Sequence, residues 1–344
     1  MKKTNILLIL AIFFGLAFHG SAIFFTLEET YDAYIHLFFA GHYADNWFEH
    51  WNYKWYTGFS IHGYPPLVHQ AMALLSLVGG LKFGLYSIAI LSIILFVTGI
   101  YRYGLLLSGR RDIAGYTAIL AVLSTAFVET LHLFGQLPSI IGLSLLLHTL
   151  PEIYLWVRQG SLRKLITSLS LIAVMVSSHH VTPIFGMVFF VFPLIGMAIM
   201  DNSREETGDF KKVTFGVFLH HFKKVFWRIV SFGMFSLVLI VICILPYWVN
   251  TKKNPITQVP IPHGSRDNFL EITSSGLVFF MIPWGILLIV MPYLFYRFYS
   301  KRYLFFGLSF SLLTLLGTGG TTPLPRMILG ENAARLLKLS QSYV

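Results

Sequence analysis

The feature that most limits what this chain can fold into is a recurring apolar run about as long as a bilayer is thick. Such runs lie near residues 5–26, 66–84, 85–107, 113–133, 138–157, 165–178, 182–200, 229–248, 273–295 and 303–317. A helical crossing needs about 20 apolar residues. The hydrocarbon offers backbone groups no water, so each crossing closes its own hydrogen bonds as a helix. No series of alternating ten-residue strands points to a barrel. Charged residues are 12% of the 344 and hydrophobic ones 56%, where a soluble domain carries about 25% charge. These values exclude an ordinary soluble enzyme, a disordered chain and a disulfide scaffold. Cys243 is the one cysteine, so no intrachain disulfide forms. The expected fold is all-α: a polytopic protein, one integral membrane domain over 1–344, with about nine or ten membrane segments.

The formal net charge is +10. A soluble protein with that excess would suggest a nucleic-acid partner. Here it reads as the Lys/Arg bias of cytoplasmic loops, with no nucleic acid involved. If segment 66–84 lies at the outer interface or re-enters, about two thirds of the Lys and Arg fall on the inner side. If it crosses, the bias inverts. The first arrangement gives nine crossings by the positive-inside rule, an N-terminus in the cytoplasm, a first outer loop at 27–63, a basic cytoplasmic loop at 201–228 and an outer tail at 318–344. Lys2, Lys3 and the His19–Ala22 stretch resemble a cleavable signal peptide. Apolarity continuing through Phe25 favours a retained signal anchor. The stretch Phe215–Phe226 is apolar at helical spacing and is expected to lie along the inner membrane surface.

The outer loop concentrates the chemistry. Glu28, Glu29, Asp32, Asp45 and Glu49 make up a third of the 15 acids, and His36, His42, His50 and His62 join them. Asp32 and His36 are four apart, on one face of a helix. An acid beside an imidazole at the membrane rim suits a base or a divalent-metal pair. Trp47, Trp51 and Trp55 also repeat at four, which suggests an interfacial helix with indoles at headgroup level; Gly58, Gly63 and Tyr64-Pro65-Pro66 then break it. Further candidates gather at other outer ends. Glu129 is an intramembrane acid one turn from His132. His179 and His180 end a helix, and Arg326 follows a Gly/Thr-rich run at 317–322 that suits an anion. Bland readings stand beside these: anchoring for the Trp stripe, a solvated face for Glu28, Glu29, Asp45 and Glu49, a Glu129–His132 pair, and helix capping for His179 and His180.

Taken together the motifs are familiar. Asp32 and His36, then Trp51, Trp55 and Gly58, then Tyr64 to Leu67, Gly135 to Pro138, Ser178 to Pro183 and Gly317 to Pro325 span nearly the whole chain. In this the chain resembles the bacterial and archaeal membrane proteins labelled 6-pyruvoyl-tetrahydropterin synthase-related. These are similar to the GT-C superfamily of polytopic glycosyltransferases. The resemblance implies a GT-C-like fold, a multi-pass protein of the prokaryotic plasma membrane, and sugar transfer at its outer face for the cell envelope. The donor it implies is a polyprenyl-phosphate-linked sugar. Asp32 would stand where GT-C enzymes place a first-loop acid that serves as base or metal ligand, with His36 beside it. Glu129, His179, His180, Arg326, Trp55 and Tyr64 would line the substrate. The label implies no pterin chemistry, since no zinc-ligand set of that kind is present. Members of the group often continue past the glycine-rich segment, so a chain ending at Val344 reads as a truncated or short form.

Two other classes fit the same residues. A transporter or lipid flippase would use acids and histidines as an ion or proton relay, usually at the midplane of broken helices. A non-catalytic scaffold of envelope-glycan assembly would keep the fold without the chemistry.

Overall fold

The computed structural model describes residues 6–54, 58–61, 64–253, 290, 293 and 300–317. These are almost entirely helical. The helices are α1 (Ile6–Glu29), α2 (Ala33–Asp45), α3 (Leu67–Ser108), α4 (Arg111–Val122), α5 (Thr125–Phe134), α6 (Leu137–Gln159), α7 (Leu162–Ser178), α8 (Thr182–Thr207), α9 (Phe215–Lys253) and α10 (Leu304–Gly317). Among the described residues, α1, α3, α6, α8 and α9 are long and apolar enough to cross a membrane, and α4 with α5 makes a sixth if the pair, bent by 46°, is one span. The apolar run at 273–295 lies outside the described residues, apart from Val290 and Tyr293.

Three expectations change. Runs 66–84 and 85–107 do not divide near Gly84. The break is at Gly79 (φ −147°) and Gly80 (φ 82°, ψ 173°), the latter in a region that an L side chain adopts only with strain. The chain reverses there: a Cβ on Gly84 would lie 2.4 Å from the Met72 carbonyl oxygen. The arm 67–78 therefore folds back on the start of 81–108. At 1.5 Å per residue it is about 18 Å long, short of the roughly 30 Å hydrocarbon. Second, Phe215–Phe226 is not a separate surface helix, because nothing in 215–228 breaks the backbone ladder and α9 continues to Lys253. Third, Trp47 and Trp51 do not lie on a helix. α2 stops at Asp45, and Trp51–Asn52 (β1) pairs antiparallel with Phe59–Ser60 (β2). Gly58 (φ 104°) closes this hairpin under the Trp51 indole, where a Cβ would meet Nε1 at 2.3 Å. Trp55 lies outside the described residues.

The chain divides into two compact units: 1–184 with 228–255, and 185–227 with 256–344. In the first, α1 packs on α3 and α4 through Ala11, Val97, Tyr101, Ala114, Ala118 and Val122. Small residues let these helices approach closely, as lipid-embedded interfaces require; a Cβ on Gly115 would sit 2.4 Å from Leu7. α6 is the central helix, packed on α3 and α7. In the second unit, Asp201 of α8 takes a bidentate bond from Arg302, Nε to Oδ1 at 2.7 Å and Nη2 to Oδ2 at 2.9 Å. Phe305 of α10 stacks on Phe218 and lies edge-on to Phe192. Ser309 donates to the Phe189 carbonyl.

Candidate functional site

The short segment between α1 and α2 is strapped to the end of α5. Tyr31 N–H donates to the Leu133 carbonyl (3.2 Å) and Asp32 N–H to that of Phe134 (3.0 Å). Residues Thr130–Phe134 form a π-helical turn, a wide turn that often marks a functional position. Gly135 ends it in the left-handed region (φ 68°). It packs on buried Thr30: a Cβ there would meet the threonine Oγ1 at 2.2 Å. Asp32 is thus held by its backbone at the N-cap of α2, with its side chain half-buried and making no capping bond.

His36 follows one turn on, its N–H bonded to the Asp32 carbonyl oxygen at 2.9 Å. The expected helical spacing holds. The imidazole, however, is fully occupied elsewhere. Its Nε2 lies 2.9 Å from the Gly135 carbonyl and its Nδ1 3.0 Å from His69 Nε2. A carbonyl only accepts, so Nε2 carries the proton and a neutral ring presents its Nδ1 lone pair to His69 Nε2–H. Both His36 and His69 are 1% exposed. His36 therefore has no lone pair left for a metal. No group of three or more His, Cys, Asp or Glu among the described residues could hold one. The described residues do not fit the divalent-metal expectation.

Burial holds His36 well below the usual imidazole value, at about 4. The unfolded chain then binds the extra proton between about pH 6.5 and 4. The stability from burying neutral His36 is complete above about pH 6.5 and lost as pH falls toward 4. A shift of that size corresponds to about 3 kcal/mol. Thermal melts by circular dichroism should show the midpoint falling across this window, with part of the slope gone in His36→Gln. An unchanged slope would mean that His36 is not buried neutral.

Tyr64 completes the cluster. It stacks on Phe39 (5.6 Å) and meets His69 edge-on (5.2 Å), over a floor of Tyr43, Ile61 and Ala73. Burial pushes its phenol up to about 12, and the Asp32 charge adds to the shift. The structure thus brings Asp32, His36, Tyr64 and Gly135 together and adds His69, which the sequence reading passed over. A histidine inside an apolar run is the kind of costly residue that could have flagged it.

Other candidates sit in different surroundings. His132 does not pair with Glu129: its Nε2 bonds His19 Nδ1 (2.8 Å) and its Nδ1 bonds the Thr26 hydroxyl (2.7 Å). His19 in turn donates from Nε2 to the Val122 carbonyl (2.7 Å). Glu129 stays half-exposed beside this chain. His179 bonds Ser139 and Thr182, pressed on α6 where Gly142 leaves room, and the His180 ring lies 5.2 Å from that of Tyr247. Their described contacts do not include Asp32, His36 or Tyr64. Asp45 and Glu49 are exposed, and Glu28 is half-buried. Glu28 accepts from Lys82 and Tyr86, Asp45 pairs with Lys54, and Glu49 accepts from the Trp51 amide. Trp55 and Arg326 lie outside the described residues.

No family model, curated protein or solved structure matches the chain.

Proposed function

We propose that the chain is a GT-C-like glycosyltransferase that moves a sugar from a polyprenyl-phosphate donor to an acceptor hydroxyl at the outer face of the membrane. The observation that carries this reading is Asp32. Its carboxylate stands at the start of a helix, on a segment pinned by two backbone bonds to the end of α5, beside a phenol that senses its charge. In this role Asp32 accepts the proton of the acceptor hydroxyl while the oxygen attacks the anomeric carbon. The bond from that carbon to the phosphate oxygen breaks, and its electron pair leaves with the polyprenyl phosphate. His36 is a positioning residue, since its ring is spent on Gly135 and His69. In this reading Arg326 supplies the counter-charge for the departing phosphate.

Site-directed labelling tests where the site lies and what it binds. Tyr31 is 72% exposed next to Asp32. In a Cys243→Ala background, Tyr31→Cys should react with an impermeant maleimide from outside the cell. A polyprenyl-phosphate sugar should slow that labelling in the purified protein. Labelling from the cytoplasm alone would overturn the outer-face reading.

A further inference from the structure

We infer that the chain carries a second site, a clamp for the phosphate of an anionic lipid, at the end of α6 away from Asp32. Between Leu137, beside the Asp32 cluster, and Glu152 the helix rises about 22 Å at 1.5 Å per residue. Glu152 is 6% exposed and is shared by two cations from two other helices. Arg102 Nη2 of α3 donates to Oε1 (2.5 Å) and Lys164 Nζ of α7 to Oε2 (2.8 Å). His148 adds no charge. Arg102 Nη1 lies 3.1 Å from its Nδ1, which must then be the acceptor, and its Nε2 faces the Leu95 carbonyl and Thr98 hydroxyl.

Among the described residues, one carboxylate between two cations leaves one positive charge of the cluster without an acid to balance it. That is costly at the edge of lipid. The buried acid also fixes both cations in place while leaving their outer sides open, at 39% side-chain exposure for Arg102 and 31% for Lys164. The guanidinium has five N–H donors and the ammonium three, and Glu152 and His148 engage only part of them. α7 begins here with no acid in its first turn and no side-chain cap, so the positive end of its dipole adds to the same field. Basic pockets between membrane helices are the known chemistry of anionic headgroup binding. A phosphodiester seated on Arg102 and Lys164 supplies the missing charge, and its acyl chains find apolar surface on the same helices.

The test is a series of nanodiscs in which phosphatidylcholine is replaced stepwise by phosphatidylglycerol. Wild-type protein should gain thermal stability saturably and retain one phosphatidylglycerol in native mass spectra. Lys164→Gln should weaken this by about tenfold, as expected for one hydrogen bond between charged groups. Lys164→Arg should preserve it, which separates lost binding from lost folding. Arg163→Gln, at an exposed neighbour, should change it by less than about threefold. Equal weakening by Arg163→Gln, or no retained lipid, would overturn the site. Millimolar inorganic phosphate giving the same stabilisation would overturn the lipid as its ligand. Neither readout involves sugar transfer, so the result is independent of the role proposed for Asp32.

Discussion

Asp32→Asn is expected to lower turnover of a polyprenyl-phosphate sugar by about 10²–10⁴-fold, the usual contribution of a positioned general base. The variant should melt close to wild type. The Asp32 amide bonds the Phe134 carbonyl and its carbonyl bonds the His36 amide, and asparagine keeps both of these backbone bonds. What the amide side chain cannot do is take a proton. Asp32→Glu restores the base but moves it by one methylene, so it should fall between the two. Steady-state rates with binding measured separately give the check. A lost rate with unchanged donor affinity is the expected pattern, and unchanged turnover in the asparagine variant removes Asp32 from the chemistry.

Gly135→Ala should be the most damaging single change around the site. It forces an alanine into the left-handed region, which costs about 1–2 kcal/mol. It also drives a methyl into the Thr30 side chain, where overpacking costs about 1–3 kcal/mol. The two costs add only in part, so a loss of about 2–4 kcal/mol is expected. Gly109 is the control: its φ is 67° but nothing lies within 4 Å of an added Cβ, so Gly109→Ala should show the backbone cost alone. Gly135 also supplies the carbonyl that sets the His36 tautomer. The alanine variant should therefore lose donor protection of Tyr31→Cys as well as stability. Equal melting of the two alanine variants would show that the Thr30 contact is slack.

Much of this was legible from local pattern, and its failures were failures of distance. Apolar runs marked the long helices because lipid leaves the backbone no alternative. The Asp32–His36 spacing marked one helical turn for the same elementary reason. Spacing of four misled at Trp47 and Trp51, because the helix ends at Asp45 and Trp51 stands on a two-residue strand beyond the turn that holds Trp47. At 66–84 the Lys/Arg balance pointed to a segment that re-enters or lies at the interface, but the place of the reversal is set by Gly79 and Gly80 inside an apolar run. The histidine pairings were beyond reach of any window. His36 meets His69 across 33 residues and Gly135 across 99, and His19 meets His132 across 113. The Arg102–Glu152–Lys164 cluster joins three helices, and each of its members reads in sequence as an ordinary charge near a helix end.

The most direct measurement follows both halves of the donor. Wild-type protein in nanodiscs is incubated with a polyprenyl-phosphate sugar labelled in the sugar, with water as the acceptor of last resort. Label leaving the lipid and polyprenyl phosphate appearing in equal amounts, with both processes lost in Asp32→Asn, is the expected result. Label that crosses the bilayer still joined to its lipid, at the same rate in wild type and Asp32→Asn, would contradict an enzyme built around Asp32.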